Sequence, residues 1–151
     1  HTLENSYTKV NTGNLVIDTL VSHYMNIAEE HNIRFEFILD VDNTCIPTEE
    51  YDLCIILGNL LDNCLQACKQ IPEYQERFIT IRILTYNKHF LIHTINPIVP
   101  SKKLRENKLW DLYHGYGLNN VKKLTEGKYK GTFAVLVKKY YEVVNTIPYF
   151  S

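Results

Sequence analysis

The segment Ile56-Leu57-Gly58-Asn59-Leu60-Leu61-Asp62-Asn63-Cys64-Leu65-Gln66-Ala67 is an apolar run long enough for a buried helix, yet it carries two asparagines four residues apart. Residues at i and i+4 share a helix face. At about 100° per residue, Asn59, Asn63, Gln66 and Gln70 fall within an arc of roughly 60°. An unpartnered buried amide costs on the order of 1–3 kcal/mol. A stripe of amides on a core helix therefore needs something polar opposite it. Buried water, a loop backbone, or a hydrated metal ion carrying a phosphate would each serve.

The rest of the chain must supply a core for that helix to enter. With 151 residues it is long enough for one compact domain, and 45% of them are hydrophobic. The formal net charge is −1, with acids and bases interspersed, which argues against a nucleic-acid binder. It leaves room for a small anion, because helix ends and a metal supply positive potential locally. Cys45, Cys54, Cys64 and Cys68 form no CxxC pair. Cys64 and Cys68 share a helix face, but no second pair completes a zinc site. Reduced, buried thiols are the expectation. No run reaches transmembrane length and no signal peptide is visible. The chain starts at His1 without Met, and the expectation is a piece of a longer protein.

Periodicity predicts an amphipathic helix over Leu15 to His31, with Ile17, Leu20, Val21, Tyr24 and Ala28 on helical spacing and Thr12 or Asn14 as cap. Ile33 to Leu39 alternates like a strand. Asp40 to Pro47 is a turn region, and the second helix runs from Thr48-Glu49-Glu50 to about Gln70, before Pro72. Phe78 to Tyr86 and His89 to Asn96 read as a hairpin around Asn87-Lys88. Residues 97–116 lose all periodicity, carry lysines at 102, 103 and 108, and include Trp110; loops this long inside a domain are usually functional. Leu118 to Thr125 reads as a helix, Gly127 as a turn, and Gly131 to Lys138 and Tyr140 to Ile147 as strands. This order fits an α+β, two-layer sandwich, its mixed and mostly antiparallel sheet covered by helices on one face.

The second chemical feature is Gly115-Tyr116-Gly117, immediately before the third helix. Glycine allows close backbone approach, and free N–H groups at a helix start favour an anion. Alone, such a bend is usually only a connection. Combined with the paired asparagines and the long loop, it points to phosphate.

These segments resemble the ATP-binding catalytic domain of the GHKL superfamily (Bergerat fold), and within it sensor histidine kinases of the quorum-sensing, accessory-gene-regulator type. Leu57-Gly58-Asn59-Leu60-Leu61-Asp62-Asn63-Cys64 is similar to the family's N box, and His114-Gly115-Tyr116-Gly117-Leu118-Asn119-Asn120-Val121 to its second glycine box. The opening Asn11-Thr12-Gly13-Asn14-Leu15-Val16-Ile17-Asp18 resembles that subfamily's own. The resemblance spans residues 11–148, within one catalytic domain over residues 1–151.

The resemblance implies a set of roles. Asn63 would ligate Mg²⁺ through its side-chain oxygen, and Asn59 would lie near the phosphates or a metal-bound water. Gln66 would line the same cavity. His114, Gly115, Gly117 and Leu118 would wrap the triphosphate of ATP through backbone N–H groups, and residues 97–116 would form the ATP lid. The family's Asp-x-Gly-x-Gly box is replaced here by Ile95-Asn96-Pro97-Ile98-Val99, so Asn96 would accept from adenine in place of Asp, through a weaker neutral bond. Positions 66 and 67 are Gln and Ala where many relatives carry Lys and an aromatic. His1, His23, His31, His89 and His93 show no acid/base partner in the sequence.

The implied protein is the ATP-binding part of a two-component kinase. It would donate the γ-phosphate to a histidine on a separate dimerisation domain and act indirectly on a response regulator. The parent would be a homodimer anchored in the bacterial membrane with this domain in the cytoplasm. Dimerisation and sensor domains are not recognised in these residues, so the fragment is expected not to phosphorylate itself. A nucleotide-free pseudokinase used for docking and an anti-sigma-type serine kinase are the alternatives.

Overall fold

The structure is a computed structural model that describes residues 10–99 and 117–150. It is α+β, with a five-stranded mixed sheet and three helices. Helix α1 spans Leu15–Glu30 and strand β1 Arg34–Asp40; helix α2 spans Glu50–Lys69. The hairpin follows as β2, Phe78–Tyr86, and β3, His89–Asn96. Helix α3 runs through residues 117–122 and widens into a π-helical turn over Lys123–Lys128. Strands β4, Thr132–Val137, and β5, Tyr141–Pro148, close the chain.

Local chemistry explains the element ends. Asn14 caps α1, its side chain accepting from the Ile17 N–H at 3.0 Å. Asp18, in the first turn, accepts from the Thr12 N–H at 2.8 Å and hydroxyl at 2.6 Å, placing negative charge at the positive helix end. Beyond α1, Asn32 takes φ 56°, and the Ile33 N–H reaches back to Ala28 O at 2.8 Å. Asn87 and Lys88, at φ 52° and 64°, give the two-residue turn that a tight hairpin requires.

The sheet order is β1-β2-β3-β5-β4, with β1 parallel to β2 and the other pairings antiparallel. Parallel neighbours need a long crossover. Here α2 is part of it, so the helix is carried across the sheet face. Ile79, Ile81 and Ile83 of β2, Phe90 and Ile92 of β3, and Val143 and Ile147 of β5 turn the same way and bury against α1 and α2. From the helices come Ile17 and Val21 of α1 and Leu53, Ile56, Leu57, Leu60, Leu61 and Cys64 of α2. Arg77 ties the two helix ends together, donating to Cys68 O at 3.0 Å and His31 O at 2.9 Å.

Two expectations change. Gly127 lies inside the π-helical turn rather than in a reverse turn, because the end of α3 is held by bonds to distant segments. The helix is described from Gly117, one residue earlier than expected. All four cysteines are free. Burial pushes the Cys64 thiol up to about 12 and that of Cys68 to about 11, so both stay protonated and behave as small apolar groups.

Candidate functional site

The middle of α2 carries the amide stripe into the core. Asn63 is 8% exposed, and its Oδ1 is buried without a hydrogen-bond partner among the described residues. Asn59, one turn earlier, donates through Nδ2 to Ile55 O of its own helix at 2.8 Å. That bond fixes which end of the amide is spent inside the helix. Its oxygen is the atom nearest to Gly117, since a Cβ built there would sit 3.1 Å from Asn59 Oδ1. Gly117 and the Asn59 oxygen therefore meet across one narrow gap, with Asn63 one turn further along α2. Gln66, half-buried, continues the stripe.

The inward face of the sheet is polar in places where its pattern should be apolar. Along β3 the inward side reads Phe90, Ile92, Thr94, Asn96, and along β5 Val143, Asn145, Ile147. The Thr94 hydroxyl lies beside the Cys64 thiol, yet its oxygen makes no hydrogen bond of normal geometry. Asn145 accepts from the Thr125 hydroxyl at 2.7 Å and leaves its own Nδ2 unpartnered. Asn96 is 1% exposed and donates through Nδ2 to Pro97 O at 2.8 Å. It thus shapes the turn before Pro97 and keeps Oδ1 as an acceptor.

The remaining sequence candidates separate. Leu118 sends its side chain into the core, so only its backbone is available to a ligand. His114, Gly115, Lys102, Lys103 and Trp110, with most of the 97–116 segment, lie outside the described residues. Asp62 faces α1, where burial first and its charge second raise the Tyr24 phenol. His93 does have partners, contrary to expectation: Nε2 lies 2.8 Å from Glu142 Oε1 and Nδ1 3.1 Å from Arg82 Nη1. They are diagonal and cross-strand neighbours in the sheet, invisible without the register. His93 points to the opposite side of β3 from Thr94 and takes no part in the gap. Sequence reading missed Thr94, Asn145 and the buried Asp52, although each is a polar residue at an apolar position in its pattern.

The orphaned Asn63 oxygen, with the Asn59 amide oxygen one turn away, suits a hard cation. Mg²⁺ takes oxygen ligands, keeps several waters and is commonly held by few protein groups together with substrate phosphates. Among the described residues no cluster of three His, Cys, Asp or Glu is found. The orphaned Asn63 oxygen and the side-chain-free gap at Gly117 fit such a group. Alanine at 117 narrows the gap and pushes the Asn59 oxygen aside. If the group is the Mg-ATP that the sequence resemblance implies, Gly117→Ala is expected to weaken its binding about tenfold, about 1.4 kcal/mol, in calorimetry. Its effect on the melting temperature should be small, because helical Gly→Ala regains about 0.5–1 kcal/mol.

A family model described as a GHKL domain matches residues 48–143. No curated protein matches the chain significantly. Among solved structures, the nucleotide-free catalytic domain of histidine kinase ThkA superposes with a TM-score of 0.63 at 18% identity, over 88% of this chain and 93% of that one. ThkA in complex with the response regulator protein TrrA gives 0.67 at 18% identity, over 95% of this chain and 42% of that one. The mycobacterial sensor histidine kinase MprB gives 0.60 at 18%, over 89% and 93%. At such identities the likeness is one of fold.

Proposed function

The chain belongs to the GHKL domain family, and from that membership and the geometry at Asn63 we propose that it is the ATP-binding catalytic domain of a sensor histidine kinase, holding Mg-ATP for transfer of the γ-phosphate to a histidine on another domain. The observation that carries this reading is the buried Asn63 oxygen, unpartnered among the described residues, one turn along α2 from the Asn59 oxygen that Gly117 faces. Native proteins rarely leave such an acceptor empty, and functional sites are where they do.

Asn63 Oδ1 would hold the magnesium, and Asn59 Oδ1 a metal-bound water or phosphate oxygen. Backbone N–H groups from Gly117 and Leu118 would donate to the phosphates, joined by those of His114 and Gly115. Asn96 would accept from adenine, with Gln66 lining the cavity. Bound magnesium supplies charge neutralisation across the phosphate oxygens. Neutral amides at 59 and 63 hold it without adding negative charge beside the triphosphate. The buried floor excludes water from the phosphate side. No residue here is assigned as phosphoacceptor. That histidine would sit on a dimerisation domain of a homodimeric parent anchored in the bacterial membrane, and the parent would act on a response regulator. Among the described residues no helix is long and apolar enough to cross a membrane. The quorum-sensing subtype rests on the opening segment Asn11 to Asp18.

Calorimetry with Mg-ATP, repeated with ATP and excess chelator, tests the proposal. A saturable one-to-one isotherm is expected, with Kd of about 0.1–1 mM, or roughly −4 to −5.5 kcal/mol. Chelator should weaken it at least tenfold. Absence of binding in both titrations would reject the reading in favour of a docking module without nucleotide.

A further inference from the structure

The first turn of α2 holds a carboxylate that the nucleotide reading leaves unused. Asp52 is 5% exposed. Its Oδ2 accepts from Lys128 Nζ at 2.7 Å and from the Tyr129 hydroxyl in a short hydrogen bond. Glu49 completes the cluster: its carboxylate accepts from Lys128 at 3.1 Å, and its N–H donates to the Tyr129 oxygen at 3.0 Å. The hydrogen bonds from Lys128 and Tyr129 hold the Asp52 carboxyl below the usual 3.8, and Asp52 first and Glu49 second push Lys128 above its ordinary value. Asp52 and Lys128 therefore form a charged pair at neutral pH.

Its position relative to the amide stripe gives it a consequence. Lys128 ends the π-helical turn of α3, and Gly117 stands at the other end of the same helical run. Asn59 lies about two turns, or ~10 Å, along α2 from Asp52. The two helices thus run antiparallel, touching at Gly117–Asn59 and bolted at Lys128–Asp52. The π-helical end is fixed by polar bonds throughout. Tyr129 N–H donates to Leu124 O at 3.1 Å, Gly131 N–H to Thr125 O at 2.7 Å, and the Thr125 hydroxyl to Asn145. Apolar packing tolerates sliding, whereas directional polar bonds select one position. π-Turns recur at functional sites.

We propose that Asp52 is a positioning residue: through Lys128 and Tyr129 it sets where α3 lies along α2, and so keeps the Gly117 turn opposite the Asn59 oxygen. This rests on the nucleotide-binding reading for its effect on ligand, but not for its effect on geometry.

The experiment compares wild type with Asp52→Asn, Lys128→Met and the conservative Lys128→Arg. In ligand-free protein, the Gly117 amide and Asn59 side-chain NMR resonances should shift in the first two variants and return in Lys128→Arg. With ligands, Mg-ATP affinity should fall about tenfold, since small displacements of positioning groups cost one to two powers of ten. Adenosine, which lacks the phosphates, should bind as in wild type. Unmoved Gly117 and Asn59 resonances would overturn the proposal whether or not nucleotide binds. Equal losses for Mg-ATP and adenosine would overturn it too, as would a lowered melting temperature with Mg-ATP affinity unchanged. A wild-type protein that binds neither ligand would sink the nucleotide reading, and the ligand-free spectra would then decide the positioning claim alone.

Discussion

Asn63→Leu should raise the melting temperature of the ligand-free protein and abolish magnesium-dependent ATP binding. Both effects have one cause. The Asn63 oxygen is buried and unpartnered in the free protein, which costs on the order of 1–3 kcal/mol. Leucine branches similarly and removes the orphan. For a domain of this size each kcal/mol moves the melting temperature by roughly 2–4 °C, so a gain of about 2–12 °C is expected by differential scanning calorimetry. The same change deletes the proposed metal ligand. Mg-ATP affinity should fall at least about thirtyfold, a loss of about 2 kcal/mol, to the level seen with chelator. Gain in stability with loss of function is the mark of a residue kept for its ligand. A leucine variant that melts lower and keeps its magnesium dependence would mean that Asn63 is a structural amide.

Gly131→Ala should be among the most destabilising single-methyl additions in the fold. A Cβ at 131 would lie 2.1 Å from Thr146 O and 3.1 Å from both Ile147 Cα and Thr125 Cγ2. The first of these is backbone of β5, which sits between β3 and β4 and cannot swing aside. Relief requires parting β4 from β5 or lifting the π-helical turn off the sheet. Either costs about 3 kcal/mol or more, a fall of about 6–12 °C in melting temperature. Gly58→Ala is the control. Nothing lies within 4 Å of a Cβ at 58, so a helical glycine there is replaced at a gain of about 0.5–1 kcal/mol. Equal effects at the two positions would show that β4 and β5 do not pack as described.

What was legible in the sequence was local. The Asn14 cap, the Asn87-Lys88 turn and the alternation of Ile79, Ile81 and Ile83 each depend on neighbours in the chain, and each was recovered. The apolar run around Asn59 and Asn63 gave both a helix and its polar stripe, because 3.6-residue periodicity is written in the residues themselves. Strand order was not legible: the insertion of β5 between β3 and β4 follows from pairings distant in sequence. Gly127 was misread for a related reason. Glycine ordinarily interrupts a helix, but here Lys128 and Tyr129 are tied to Asp52 and the turn widens to accommodate them. The partners of His93 are likewise set by sheet register. The candidate site is legible in part. Asn59 and Gly117 meet, while the polar residues Thr94 and Asn145 needed the structure to place them.

The most direct test of the proposed magnesium–triphosphate site uses a paramagnetic ion in place of magnesium. Isotope-labelled protein is titrated with ATP containing a small fraction of Mn²⁺. If the metal sits on Asn63, the side-chain amide signals of Asn63 and Asn59 and the backbone amide of Gly117 broaden first, while His93 and its neighbours on the far face of the sheet stay sharp. Broadening that spares those three residues, or that never saturates with nucleotide, would contradict the account.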